Sequence, residues 1–456
     1  MSEQYLIIDN GSYNIKAGFN TDSGDCRPLK VRNAISKTRD GLIYIGNDYK
    51  TQTNNYSGIS FKRPFSQGHL TSWETEKPIW DYTFDQLCLE NPVDPSSTHL
   101  TLTETPFQLP QLSISTDQIV FEEYGFNEYF RCIPGLLIPW IDYSDGKLHN
   151  LNEKDDNLDE KSNVTSKVET SNDNSNNQPE IQSQIVTNGN NNDFMLVIDS
   201  GYDSTWIIPM IYQCVYWDGV RKLPIGGKLL NGLLRELISF RHYDFSEEPI
   251  LINTIKEQTC FMALDFNRDL QKKINYNCQF VLPDFKTTTT GYVKTEASPT
   301  NKDAQLLSLQ DERFVPPESY YHPEILFDNS ASTTSNTILQ SLPFKNIIDL
   351  IVDSIMACPK VAQPLLLANI VLSGGSTKIP NFKSRLSSEL KKELPLDWYV
   401  RIIDTGDIPQ DELAWYGGLN LTSSDIINKI SISKKDYFEH GSNWCQKQFG
   451  FKNPKQ

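Results

Sequence analysis

The 456-residue chain is poor in positive charge: 42 Lys and Arg against 58 Asp and Glu give a formal net charge of -16. A surface of that sign repels polyanions, which excludes a broad phosphate-tracking face for DNA but leaves room for a local basic patch. Histidine is scarce, with six in the chain and none at metal-ligand spacing, so no protein-held zinc is expected. The eight cysteines form no C-x-x-C pair, and all eight read as reduced, buried thiols of a cytosolic or nuclear protein. No apolar run approaches the ~20 residues of a membrane span. The densest apolar stretches, 132–140 and 361–372, contain prolines and read as core. The opening Met1-Ser2-Glu3-Gln4 lacks the basic-then-apolar pattern of a secretion signal, and none is expected. Residues 144–193 lack any aromatic side chain and are dense in Asn, Asp, Glu and Ser. Such a segment cannot bury enough apolar surface to offset its ordering entropy, so a disordered acidic insertion is expected there. An acidic arm for a basic partner is the alternative. The polar stretches 286–310 and 328–341 read as surface loops.

What the chain does possess is a long-range internal repeat. Tyr5–Ile8 is a buried-strand run ending in Asp9-Asn10-Gly11-Ser12, and Met195–Ile198 is another, ending in Asp199-Ser200-Gly201. Each passes through a few turn residues into a second apolar run, Ala17–Phe19 and Trp206–Pro209. Two strand–turn–strand units in matching context predict two related halves. Between them, helical spacing runs through 73–89 (Trp73, Ile79, Trp80, Phe84, Leu87). It also runs through 252–266 (Ile252, Ile255, Thr259, Met262, Phe266) and 380–394, with Pro380 suited to a first helical turn. Strands alternating with helices predict α/β layers.

Four elements carry chemistry. The two Gly- and Ser-containing turns expose successive backbone N–H groups, and two such turns facing each other can grip a polyphosphate from both sides. Asp9 and Asp199, one at each strand end, can hold the water shell of a phosphate-bound Mg²⁺, and Lys16 can neutralise phosphate charge. The third element is Val371–Pro380 (VLSGGSTKIP), a buried strand entering a double glycine and then a helix. Gly374 and Gly375 allow close backbone approach to a nucleotide, with Ser376 beside them; an ordinary strand-to-helix turn is the alternative. The fourth is Lys256-Glu257, beside an apolar helical face, able to border a purine or to form a solvated ion pair.

In combination and in order, these elements resemble the actin family over nearly the whole chain outside the insertions. The run Asp9–Phe19 (DNGSYNIKAGF) looks like the family's first phosphate loop and Asp199–Thr205 (DSGYDST) like its second. Ser373–Thr377 and Lys256-Glu257 match adenosine-contacting positions. Phe61–Phe65, Thr71–Trp73, Trp80–Phe84, Leu102–Pro106, Ala263–Phe266 and Trp415–Gly418 fit as well. The resemblance implies an α/β, actin-like fold of the type shared with Hsp70 and hexokinase, with two related lobes around a nucleotide cleft. It implies one domain from 1–143 plus 404–456, with a subdomain at about 31–68, and a second from 194–403. The implied nucleotide contacts are Asp9, Gly11, Ser12, Lys16, Asp199, Gly201, Lys256, Glu257, Gly374, Gly375 and Ser376. Asp9 and Asp199 would hold Mg through its bound water, with ATP or ADP as the ligand. Within the family, Asp199–Tyr202 with Trp206–Pro209, Gly226–Leu230, Ser239–Tyr243, Val281–Phe285, Glu312–Phe314 and the tail around Lys435–Tyr437, Cys445 and Phe449 are similar to a nuclear class. That class is known as a subunit of Swr-type chromatin remodellers, which exchange nucleosomal histone dimers for a variant form.

The departures from actin bear on mechanism. Counting from Phe121-Glu122, the family's water-positioning glutamine falls on Pro134, which has neither side-chain donor nor acceptor. Orienting water supplies much of the rate in phosphoryl transfer. Tyr202 stands where the second loop has an aspartate, Trp206 replaces a histidine, and Tyr13 replaces a glycine of the first loop. The expectation is therefore a nucleotide clamp with little or no hydrolysis, with Tyr13 and Tyr202 filling the phosphate space of an empty cleft as the alternative. The stretch 36–53, shorter and polar at its start, predicts no homo-filament. A structural subunit bound to a remodeller motor and its companions is expected, with histone contact open. An independent ATPase or sugar-kinase-like enzyme and a cytoskeletal actin are the competing readings, between which fold alone does not choose. Lys391, Lys392, Lys434, Lys435, Lys447, Lys452 and Lys455 are candidates for DNA contact or simply solvated surface.

Overall fold

The computed structural model describes residues 4–20, 27–53, 55–87, 94–143, 192–241, 243–272, 276–285, 288–296, 304–326 and 345–450. The insertion expected at 144–193 (bar its last two residues), the loop at 328–341 and parts of 286–310 lie outside the described residues. So do Cys26, Cys88, His242, Lys452 and Lys455. The end of 286–310 is not the surface loop expected, since Leu306–Leu309 is a strand with Leu307 and Leu309 buried in a core.

The run that opens the chain forms the strand Gln4–Asn10, buried without alternation from Leu6 onward. Continuous burial marks a strand covered on both faces, as parallel central strands are. It turns through Gly11–Tyr13 and pairs antiparallel with Asn14–Phe19, which sets Asp9 opposite Lys16. Its other edge pairs in parallel with Thr98–Thr103. The full six-stranded order is Ile432–Ser433, Glu128–Cys132, Thr98–Thr103, Gln4–Asn10, Asn14–Phe19, Leu29–Arg32. The second run repeats the arrangement. Phe194–Ser200 pairs antiparallel with Thr205–Ile211, setting Asp199 opposite Trp206, and in parallel with Ile370–Ser373, setting Asp199 beside Ser373. Cys214–Val215 and Arg221–Leu223 complete this five-stranded sheet on Thr205–Ile211.

Each sheet has its own core. Leu6, Ile8, Ile15, Leu100 and Leu102 pack against Ile79 and Trp80 of the helix Trp73–Leu87, and with Phe121, Tyr437 and Cys445. Leu196, Ile198, Ile207 and Leu372 pack against Ile351 and Ile355 of the helix Ile347–Ala357 and Leu386 and Leu390 of the helix Phe382–Glu393. The first of those helices starts cleanly because Asn346 and Asp349 form a reciprocal capping box. A third core joins the sheets: Ile133 and Ile138 meet Val197, Ile208, Met210, Val371 and Leu413. Each fully buried aliphatic side chain there is worth roughly 1.5–3 kcal/mol relative to exposure. The helix Leu413–Thr422 lies so close to Pro134–Leu137 that a Cβ on Gly417 would sit 2.0 Å from the Leu137 carbonyl oxygen, so only glycine fits.

Several expectations need correction. The helix predicted through 252–266 ends at Thr259, and a separate helix starts at Phe266. Cys260, Met262 and Ala263 are buried, which sustains the periodicity, but the segment's backbone bonds go elsewhere: Phe261 N–H to Arg313 O (3.1 Å) and Met262 N–H to Pro380 O (2.9 Å). Pro380 therefore precedes the next helix, which starts at Phe382 after Asn381 in a left-handed conformation (φ 69°). Cys214 is exposed, unlike the other described cysteines, because it sits on a short edge strand. Val361 is 82% exposed, so the 361–372 stretch is core from Ala362 onward, at Ala362, Leu366, Leu367 and Ile370–Leu372, but not at its first residue.

Candidate functional site

The two hairpin turns face a single cavity of about 550 Å³, within the usual range for small-molecule sites. Asp9, Gly11, Ser12, Lys16, Asp199, Gly201, Lys256, Glu257, Gly374, Gly375 and Ser376 all line it, and so does Pro134.

At the first turn, the antiparallel register brings Lys16 Nζ to 2.7 Å from Asp9 Oδ2. Thr103, on the adjacent parallel strand, donates to Asp9 Oδ1 (2.8 Å) and accepts from the Asn10 N–H (2.9 Å). Burial works against the Lys16 charge, but Asp9 outweighs it and holds the ammonium above its usual range. At the second turn, burial and then the Asp9 charge push the Asp199 carboxyl up to about 6, against the opposing pull of Lys16 and a hydrogen bond with Ser373. The Gly201 N–H bonds Ser204 O (3.0 Å), and Ser376 Oγ donates to Gly201 O (3.0 Å), tying the double-glycine segment to this turn. Gly374 has φ 91°, and a Cβ there would stand 2.3 Å from Ser200 O and 2.9 Å from Asp199 Oδ1. Gly375 opens the 3-10 turn Gly375–Lys378, and nothing lies within 4 Å of where its Cβ would be.

Lys256 and Glu257 come from the last turn of Pro249–Thr259. Lys256 Nζ donates to Gly227 O and Asn253 Oδ1, both at 3.2 Å, and Glu257 Oε1 accepts from Asn253 Nδ2 at 2.8 Å. Burial lowers the Lys256 pKa, with Glu257 and Cys260 opposing. Pro134 begins the short helix Pro134–Leu137, where its missing N–H costs nothing, and presents only a hydrocarbon ring to the cavity. Trp206 lies 6.2 Å from Phe107, ring to ring, with Lys222 Nζ 5.0 Å above its face.

Long-range partners escaped sequence reasoning. Glu104, on the cavity wall, is paired with Arg131 and accepts from Ser113 Oγ (2.9 Å); Arg131 in turn binds Asp117 (3.1 Å). Asp411 also lines the cavity, between Lys30 (3.0 Å) and Lys378. Burial disfavours its charge, but the two ammonium groups hold its carboxyl below the ordinary value. The rings of Tyr13 and Tyr202 meet with centroids 4.7 Å apart, joining one turn to the other. No local pattern signals these contacts: strand pairing brings Arg131 near Glu104, and the meeting of the two sheets brings the two tyrosines together.

The two turns offer donors that an anionic group could take. Among the described residues, the backbone N–H groups of Ser12, Tyr13, Tyr202 and Asp203 bond no protein acceptor, which leaves both turns with donors to offer. Among the same residues no three His, Cys, Asp or Glu side chains are grouped for direct metal binding. Asp9 and Asp199 are two carboxylates, a set suited to a hydrated ion rather than to a cage around a bare one.

Two sheets carrying the same hairpin-plus-parallel-strand unit, with their Asp-x-Gly turns on one cavity, define the class of protein. The chain belongs to the actin family, whose model, described as Actin, matches residues 1–450. Within the family it is similar over its length to fungal proteins named Actin-like protein ARP6. The one from Debaryomyces hansenii is 59% identical over 455 residues, covering 99% of this chain and 100% of that protein. The one from Candida albicans is 55% identical over 483 residues, 99% of each chain. The one from Saccharomyces cerevisiae is 35% identical over 465 residues, 98% of each.

Proposed function

We propose that the chain is a nuclear, non-filamentous actin-related protein. It serves as a structural subunit of a Swr-type chromatin-remodelling complex that exchanges nucleosomal histone dimers. Its two sheets are the cores of two lobes, 1–143 with 404–456 and 194–403, that close on ATP or ADP with Mg. Bound Mg²⁺ would neutralise phosphate charge, with Asp9 and Asp199 holding its water shell and Lys16 adding a fixed cation. Lys256, Glu257, Gly375 and Ser376 border the nucleoside end. Ligand bound to the closed form stabilises that form by mass action.

The observation that carries this reading is Pro134. It lines the cavity where a water-positioning side chain would be needed, and it has no polar atom to offer. Of the carboxylates lining the cavity, Asp9 is paired with Lys16, Glu104 with Arg131 and Asp411 with Lys30 and Lys378, and Glu257 accepts from Asn253. A nucleotide held there works as a clamp, and the output is a shaped surface for partners. Native purification of tagged chain from nuclei is the test. Co-elution with a remodeller motor at megadalton size is expected, and a lone monomer would overturn the subunit reading.

One observation favours the cytoskeletal alternative. At the tip between the strands Ile35–Lys37 and Ile43–Ile45, Leu42 and Ile43 are 56% and 65% exposed, an apolar point in the region where actin polymerises. Sedimentation in polymerising salt decides: the chain is expected in the supernatant, and a pelleted filament would reinstate the alternative.

A further inference from the structure

We propose that Tyr13, Tyr202, Arg32 and Arg63 form a latch across the cavity that makes bound adenine nucleotide slow to leave, so that it behaves as a retained structural ligand. This rests on the nucleotide reading of the cavity.

The two tyrosines stand on different sheets, Tyr13 in the turn after Gln4–Asn10 and Tyr202 in the turn after Phe194–Ser200. Their rings meet at 4.7 Å with planes inclined by 39°, and both line the cavity. The Arg32 guanidinium lies 4.0 Å from the Tyr13 centroid. The Arg63 guanidinium lies 4.9 Å from Tyr13 and 4.8 Å from Tyr202, so one cation touches a ring from each side. Arg63 is held in place by the first side only, donating to Ser12 O (3.2 Å) and Asn33 O (3.3 Å).

The charge arrangement makes the latch conditional on closure. Arg32 and Arg63 are half-buried; burial and the Arg32 charge disfavour the Arg63 cation, while at Arg32 burial is outweighed by Tyr13 and its other neighbours. Among the described residues neither forms an ion pair, and Arg32 Nε has no hydrogen-bond partner. Partly desolvated cations with no carboxylate in ion-pair contact need other compensation, and Glu257 and Asp203 act on them only from a distance. Aromatic faces are the compensation present, and Tyr202 supplies its share only while the two turns are together. Parting the turns removes the ring–ring contact and one face of Arg63 at once, which biases the molecule toward the closed state.

A second seam lies alongside. Ser57 Oγ donates to Glu248 Oε1 (2.6 Å), the Gly58 N–H reaches the same oxygen (3.3 Å), and Lys222 Nζ donates to Gln67 O (3.3 Å). A polyphosphate gripped by both turns must wait for them to part. An aromatic pair with a desolvated cation contact slows release on the order of 30-fold.

The test uses the full chain. Equilibrium dialysis with radiolabelled ADP measures uptake. Release of etheno-ADP, chased with excess ADP, is timed for wild type, Tyr202→Ala and Tyr202→Phe, with hydrogen exchange of residues 55–66 followed in the nucleotide-free proteins. Wild type is expected to take up ADP and release it slowly. Tyr202→Ala should release it at least ~10-fold faster, and its 55–66 amides should exchange faster even without nucleotide. Tyr202→Phe, which keeps the ring, should restore slow release; if Tyr202→Ala melts far below wild type, Arg63→Gln replaces it with the same expectation. Release unchanged in both latch variants, with ADP still bound, overturns the latch and leaves the nucleotide site standing. Failure of wild type to take up ADP overturns the nucleotide reading, and retention falls with it.

Discussion

Replacing Glu76 by Gln should remove a large loss of stability that the wild-type chain suffers as pH rises toward 7. Glu76 lies on the helix Trp73–Leu87 with no accessible surface. Its Oε1 accepts from Trp80 Nε1 (3.1 Å) and Asn33 Nδ2 (3.3 Å), while Oε2 has no protein partner. Burial pushes this carboxyl from the ordinary 4.5 up to about 7, against hydrogen bonds with Asn10, Asn33 and Trp80. Between those values the folded chain keeps the proton and the unfolded chain has released it. The stabilisation is therefore full below the unfolded value and is lost as pH rises to about 7. At about 1.4 kcal/mol per pH unit, that interval is worth about 3 kcal/mol. Glu76→Gln cannot ionise, so its stability relative to wild type should improve by about that amount from pH 4.5 to pH 8. Asp117 and Glu318, also pushed up to about 7 chiefly by burial, titrate in both proteins and cancel in the comparison. Urea unfolding of both proteins at several pH values measures the difference. A variant-minus-wild-type difference that is constant with pH would refute the reasoning and mean that Glu76 is ionised in the folded chain.

Gly374→Ala should lower stability by about 3 kcal/mol, since it combines a positive φ with a backbone clash; thermal melting reads it. Thr103→Val strips Asp9 of a donor and leaves the buried Asn10 N–H unpaired, a loss of about 1–3 kcal/mol in denaturant unfolding. Cys214 should react with iodoacetamide well before Cys132, Cys260, Cys278, Cys358 and Cys445 in mass-spectrometric mapping of the native chain, because it alone of these is exposed. Glu247→Ala breaks only the exposed pair with Arg39, so its melting curve should shift by no more than about 1 kcal/mol allows.

The parts of the molecule that were readable in the sequence are those written locally. A continuous apolar run ending in Asp-x-Gly specifies a buried strand and its turn within about a dozen residues, and the chain repeats that signature. The double glycine at Gly374-Gly375 was readable because one of the two must adopt a conformation, φ 91°, that other residues avoid. What was not readable depends on partners far along the chain. Arg131 pairs with Glu104 and Asp117 because parallel strands set Arg131 beside Leu102. Arg63 finds Tyr202 only because two sheets meet. The false helix through 252–266 shows the same limit from the other side. Burial of Cys260, Met262 and Ala263 imitates a helical face, yet Arg313 and Pro380, distant in sequence, take the backbone bonds that would have continued the helix. Val361 and Cys214 are exposed for a similar reason, since composition records apolar character but not which edge of the fold a residue occupies.

The most direct test of the clamp is a single-turnover experiment with γ-labelled ATP and Mg on purified chain. The account predicts stoichiometric uptake of label with essentially no phosphate release over the lifetime of the complex, since Pro134 offers nothing to orient water. Phosphate release at the rate of actin measured alongside would contradict it.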